Sequence, residues 1–364
     1  DSGSMATKQQ ILASNFAGFI DQLALLPAKN DYQVAVTTTS VDRWVSGTTP
    51  ATAVFANKFS SPGGPTCNPA PNGGADYPAG ALVRVVGTAD VCSRQQFTVG
   101  TPRVLPAGSP TLIADFMENV YVGADGSGKE QGLEAARLAV SDPLASGANA
   151  GFLRPGARLV LIIVSDDDDC SDPLHAGFDN EPPGCTSYPV QTYVDFFKGP
   201  IAGEQRDVLV AGIISVDPAT KNAAACAVQS AQPTCAPTAT TAEHAAPRYK
   251  AFVDAFDPLN VDSVCNCTFE TTLTRVATLI GQEVPLAAEP ADWRLLTVSV
   301  TKPGGRTIPC TLGASGVGGT PDVIYAPPTA TRPGTLTFGG TTAVSGACAL
   351  RAGDQIDLKI LCAG

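Results

Sequence analysis

The stretch Arg158–Ser165 (RLVLIIVS), followed at once by Asp166–Asp169 (DDDD), decides the fold. An uninterrupted apolar run bounded by charge does not alternate as a half-buried strand does. It suits a strand covered on both faces, the kind found at the centre of a parallel sheet. An isolated run of aspartates is ordinarily a solvated turn. Directly behind a buried parallel strand it stands where open α/β sheets hold their ligands, at the C-terminal strand ends.

Working outward, a second buried run occupies Asp207–Val216 (DVLVAGIISV), with shorter extended pieces at 32–39 (YQVAVTTT) and 261–264. Segments of helical period separate them. Over 8–26, Leu12, Phe16, Phe19, Ile20, Leu23 and Leu26 recur at three- and four-residue steps before Pro27, and further helices are predicted at 111–120, 130–141, 191–198, 247–256 and 270–280. Strands alternating with helices predict a doubly wound, mostly parallel α/β sheet over residues 1–284. Within it, residues 40–108 are rich in Gly, Pro, Ser, Thr and Asn and read as a Cys-containing insertion with a hairpin or two. Beyond 285 no helical period survives. Alternating segments at 295–301, 335–338 and 355–361, with a turn at Pro303-Gly304-Gly305, predict a small disulfide-linked all-β domain over 285–364.

Composition narrows the function classes. The 364 residues carry 23 Lys+Arg against 34 Asp+Glu, a net charge of −11, which argues against nucleic-acid or anionic-membrane binding. The apolar runs fall short of the ~18 residues that a membrane span requires. There are 11 cysteines but only two histidines, so disulfides in an oxidising compartment are expected rather than zinc sites. Sequence-near pairs such as Cys67–Cys92, Cys170–Cys185 and Cys226–Cys235 are candidates, Cys265-Asn266-Cys267 reads as two disulfide ends, and the odd count leaves one cysteine free or bonded outside this chain. The chain opens on Asp1, so an export signal is expected upstream of a mature or truncated segment.

Three loops supply candidate ligands: Asp1-Ser2-Gly3-Ser4-Met5, Gly123–Gly128 and Ser165–Asp169. Hydroxyls facing carboxylates are hard oxygen donors, suited to Mg²⁺, Mn²⁺ or Ca²⁺. Carboxylates ~5 Å apart repel by roughly 3 kcal/mol at an effective dielectric near 20, which a divalent cation would offset.

On these residues the chain resembles the von Willebrand factor A domain family, in its bacterial extracellular branch, over about residues 1–282. That family carries a metal-ion-dependent adhesion site written Asp-x-Ser-x-Ser, with a Thr or Ser on a second loop and an Asp on a third. Ser2 and Ser4 match the two serines, Ser127 (counted back from Leu133) matches the second-loop hydroxyl, and Asp166 the third-loop carboxylate. The leading Asp falls one position before residue 1, so Asp1 occupies the variable place. The strand preceding the motif is expected upstream in the same polypeptide, or else supplied by another molecule through strand complementation. The resemblance implies a divalent cation, Mg²⁺ before Mn²⁺ or Ca²⁺, held by Ser2, Ser4 and Ser127, with Asp166 bound directly or through water. Such a cation would accept an Asp or Glu carboxylate from a protein partner. That describes an exported or cell-surface adhesion module and not an enzyme. The alternative is a structural subunit of an extracellular filament or surface assembly.

Rival motifs fail on particular residues. Gly123 to Gly128-Lys129 has phosphate-loop spacing, but Glu130 stands where the Mg²⁺-binding Ser or Thr belongs. Neither acidic loop reaches the twelfth-position Glu of a helix–loop–helix calcium site. No Gly-x-Ser-x-Gly elbow occurs, and both histidines, His175 and His244, lie in loop-like contexts.

Overall fold

A computed structural model describes residues 5–25, 31–46, 54–56, 78–83, 103–122, 126–173, 188–226, 244–286, 288–314, 320–328, 334–339, 346–351 and 354–360. Ser2 and Ser4 lie outside the described residues, as do Gly123–Asp125 of the second loop and Cys67, Cys92, Cys185 and Cys235. The chain divides into two compact units. One comprises Asp1–Phe16, Tyr32–Arg154 and Arg158–Thr272; the other Ala17–Asp31, Pro155–Ala157 and Leu273–Gly364.

The architecture is mixed α/β. Helices form where the apolar spacing predicts them: α1 (Ala6–Leu25), α2 (Leu112–Val120), α3 (Gly132–Ala139), α4 (Val190–Lys198), α5 (Pro247–Asp254) and α6 (Glu270–Gly281). In the first unit, β1 (Leu159–Val164), β2 (Val208–Ile214) and β3 (Val261–Ser263) make an all-parallel sheet in the order β1-β2-β3. Leu159, Ile163, Val210 and Ile214 share a core with Leu133 and Ala136 of α3, Tyr193 and Phe197 of α4, and Tyr249 and Phe252 of α5. Phe197 and Phe252 meet edge to face, 5.7 Å between centroids. Leu209, Ala211 and Ile213 point to the opposite face of β2 and are buried too. Coverage on both faces is why β2 reads as a continuous apolar run. The edge strand β1 is less enclosed, with Val160, Leu161, Ile162 and Val164 only partly buried, and among the described residues it pairs with β2 alone.

The segment 32–39 departs from its predicted place. Only Gln33–Val34 forms a ladder, antiparallel to Leu105–Pro106, and the segment does not join the parallel sheet. Carbonyls further along the segment bond to residues outside the parallel sheet instead. Val36 O accepts from the Val83 amide at 2.8 Å, and Thr39 O from the Gln131 amide at 2.9 Å. Thr38 bonds locally, its Oγ1 accepting from the Ser40 amide at 3.2 Å, whereas Thr37 Oγ1 donates to the distant Ala81 O at 3.1 Å.

The second unit is built on β4 (Glu283–Pro285), β5 (Thr297–Thr301), β6 (Thr307–Cys310), β7 (Leu312–Ala314), β8 (Val323–Ala326), β9 (Thr335–Phe338) and β10 (Gln355–Lys359). They form one sheet of order β4-β9-β8-β7 and another of order β6-β5-β10. All pairings are antiparallel except β7 with β8. Val298, Val300, Val323, Leu336 and Phe338 fill the core. The β5–β6 hairpin turns at Gly304 and Gly305, both at positive φ (98° and 85°), a conformation that explains the glycine pair. A disulfide links Cys310 to Cys348.

In the first unit Cys226 bonds Cys265, not the sequence-near Cys235. Both follow strands of the parallel sheet, and the C-terminal ends of neighbouring parallel strands lie side by side. This brings the two Cα atoms to 6.1 Å, within disulfide reach. Cys170 and Cys267 are disulfide-bonded as well, so Cys265 and Cys267 are indeed two disulfide ends. Among the described residues no helix is long and apolar enough to cross a membrane.

Candidate functional site

Each aspartate of the acidic loop after β1 has its own set of contacts. Asp168 Oδ1 accepts from the Arg248 amide at 2.9 Å and the Tyr249 amide at 3.3 Å, occupying the N-terminus of α5. Asp169 Oδ1 accepts from the Leu133 amide at 3.1 Å, in the first turn of α3, and from Ser171 Oγ at 2.6 Å. Its Oδ2 receives the Arg248 guanidinium at 3.1 Å. Ser171 Oγ takes the next α3 amide, that of Glu134, at 2.9 Å. The loop thus satisfies otherwise unpaired amides at the starts of two helices, where negative charge is also favoured by the helix dipole. Asp167, nearer the surface, meets His244 Nδ1 at 2.8 Å.

Asp166 differs from its neighbours. It is 2% exposed; its Oδ2 accepts from Lys8 Nζ of α1 at 2.7 Å, and Lys8 is itself 2% exposed. Its Oδ1 is buried with no hydrogen-bond partner among the described residues. A buried carboxylate oxygen without a donor is costly, about 1–3 kcal/mol or more.

The second loop is tied alongside, the Cys170 amide donating to Glu130 O at 2.5 Å. Ser127 is buried (1% exposed); its amide donates to Ser40 Oγ at 2.8 Å. Its hydroxyl donates to Asp42 O at 2.8 Å and accepts from the Lys129 amide at 3.1 Å. Two of the hydroxyl's bonding capacities are therefore used, and one lone pair remains. Lys129 Nζ in turn reaches Asp42 Oδ1 at 3.0 Å. Gly132, which opens α3, lies so close to Tyr249 that an added Cβ would fall 2.3 Å from the phenol oxygen, and its amide donates to that oxygen at 3.0 Å.

Crowded, buried carboxylates carry shifted acidities. Burial pushes the Asp168 carboxyl up to about 6 despite its backbone donors. Burial likewise raises Asp167, with the charges of Asp166 and Glu130 adding to the effect and His244 opposing it, and raises Asp169 against the pull of Arg248. A carboxyl raised on folding contributes stability that is complete below its unfolded value near 3.8 and is lost as pH climbs through about 6. For Asp168 that amounts to at most ~3 kcal/mol. Urea unfolding at pH 4 and pH 7 should therefore show a smaller loss of stability across that interval in Asp168→Asn than in the parent. Equal losses would show that Asp168 titrates normally.

Of the four predicted cation ligands, Ser127 and Asp166 stand on adjacent tied loops. Nothing in the sequence marks Lys8, Asp42 and Lys129, since their partners are 158, 87 and 87 residues away. Among the described residues no group of three or more His, Cys, Asp or Glu side chains is arranged to hold a metal ion. The donor set at issue is of another kind, one carboxylate with hydroxyls. The buried, unpartnered Oδ1 of Asp166 is a hard oxygen acceptor of the kind a small divalent cation takes. No family model, curated protein or solved structure matches the chain.

Proposed function

We propose that this chain is an exported, divalent-cation-dependent protein-binding module of the von Willebrand factor A kind, recognising an Asp or Glu carboxylate of its partner. Ser2, Ser4, Ser127 and Asp166 would hold the ion, Mg²⁺ in the first instance and Mn²⁺ or Ca²⁺ as substitutes. When bound, the cation would supply a Lewis-acidic position for the partner's carboxylate oxygen. The chain's own contribution is to deliver Asp166 at the end of a buried parallel strand and Ser127 on a loop tied beside it. The observation behind the proposal is the buried Asp166 Oδ1, an acceptor that no described donor satisfies. The disulfides fit an oxidising compartment, in keeping with export.

The test is direct titration of the full chain with Mn²⁺, followed by the electron paramagnetic resonance of the free ion. Asp166→Asn, which keeps the shape and removes the charge, should weaken binding about 100-fold, a loss of ~2.7 kcal/mol. Ser127→Ala, which leaves every charge in place, should weaken it less. Mn²⁺ uptake that is equal in the parent and both folded variants would remove these residues from any cation site.

A second reading, as subunit of an extracellular filament, draws on the partly exposed apolar edge of β1, which a strand from another molecule could extend. Size-exclusion chromatography separates the two. Polymers that persist in EDTA favour the filament; a monomer that takes up Mn²⁺ favours adhesion.

A further inference from the structure

Lysine is among the residues least often fully buried, and a buried ammonium persists only when its charge is matched. Lys8 is matched at 2.7 Å by Oδ2 of Asp166, the carboxylate proposed above to hold a divalent cation. The other oxygen of that carboxylate has no described donor. Asp166 is thus half engaged, by a cation built into the chain itself.

We infer that Lys8 is a tethered counter-ion that competes with the divalent cation for Asp166, so that loading the site requires Lys8 Nζ to leave Oδ2. The inference rests on the cation-binding reading and adds its regulation. In a buried site an ammonium and a divalent ion on one carboxylate repel each other strongly, so occupancy by one disfavours the other. With no divalent ion present, Lys8 keeps the carboxylate neutralised and the loops in place. As the ion's concentration rises, the ammonium gives way, and Lys8 sets the threshold. A lysine suits this part better than an arginine would: it is a compact, strongly hydrated charge on a flexible stem and makes no bidentate clamp.

Lys8→Met keeps the stem without the charge, and Lys8→Gln keeps a polar end. Each, titrated with Mn²⁺ as full chain, should bind at least about tenfold more tightly than the parent, the direction expected when a like charge is removed from the site. A measurement on the unmodified protein needs no variant to fold. Acetylation of the Lys8 amine by acetic anhydride, read by mass spectrometry, should speed up when Mn²⁺ is added, because the amine no longer pairs with Asp166. Should the parent bind Mn²⁺ while both variants bind no tighter, or should Lys8 acetylation not respond to bound Mn²⁺, the tethered-ion inference is wrong and the cation site stands. Absence of Mn²⁺ uptake by parent and variants alike would overturn both.

Discussion

Replacing Asp169 by Ala is expected to destabilise the first unit by about 3–5 kcal/mol, the range for removing one partner of a buried ion pair. The carboxylate is fully buried, and its loss strands three donors at once: the Leu133 amide, the Ser171 hydroxyl and the Arg248 guanidinium, which is only 14% exposed. The Arg248 charge weighs most, because an unpaired buried cation keeps its full desolvation cost. Asp169→Asn should be milder, since an amide oxygen can still accept from Leu133. Asp167→Ala provides the contrast, because its pairing with the more exposed His244 lies near the surface, where such pairs contribute about 0–1 kcal/mol. Urea denaturation followed by circular dichroism distinguishes them. If Asp167→Ala and Asp169→Ala cost the same, the loop does not staple the helices as described.

Breaking the Cys226–Cys265 disulfide should cost about 4 kcal/mol, the chain-entropy figure for a closed loop of its length. The sequence separation is 39, and both sulfurs sit in buried positions behind the strands of the parallel sheet. Because the effect lies in the unfolded chain, Cys226→Ser, Cys265→Ser and the double substitution should have nearly equal consequences in thermal unfolding. Double-variant losses near the sum of the singles would mean that the thiols pack independently and the bond contributes little. Mass mapping after proteolysis of the oxidised protein should recover Cys226 joined to Cys265 and not to Cys235.

Read as sequence, Asp166–Asp169 is a run of equivalent charges, with position one marked by its resemblance to a metal motif. In the structure the run has divided its labour. Asp168 and Asp169 hold the starts of α5 and α3, Asp167 faces His244, and Asp166 alone keeps a buried oxygen without a described donor. Two of the four aspartates are therefore explained by helix capping. That narrows the functional question to one carboxylate and the lysine that meets it.

What the sequence determined by itself is local. The apolar runs at 159–164 and 208–214 had to be strands, and the three- and four-residue spacing of Phe16, Phe19 and Leu23 had to be a helix, because period is a property of neighbouring residues. The pairing of Lys8 with Asp166, Lys129 with Asp42 and Cys226 with Cys265 was decided only in three dimensions. So was the fate of 32–39, whose strand-like composition yielded to loop partners. Charges and thiols act over a few ångströms of space whatever their separation along the chain, so their partners follow from which strand ends and helix starts the packing of the sheet brings together.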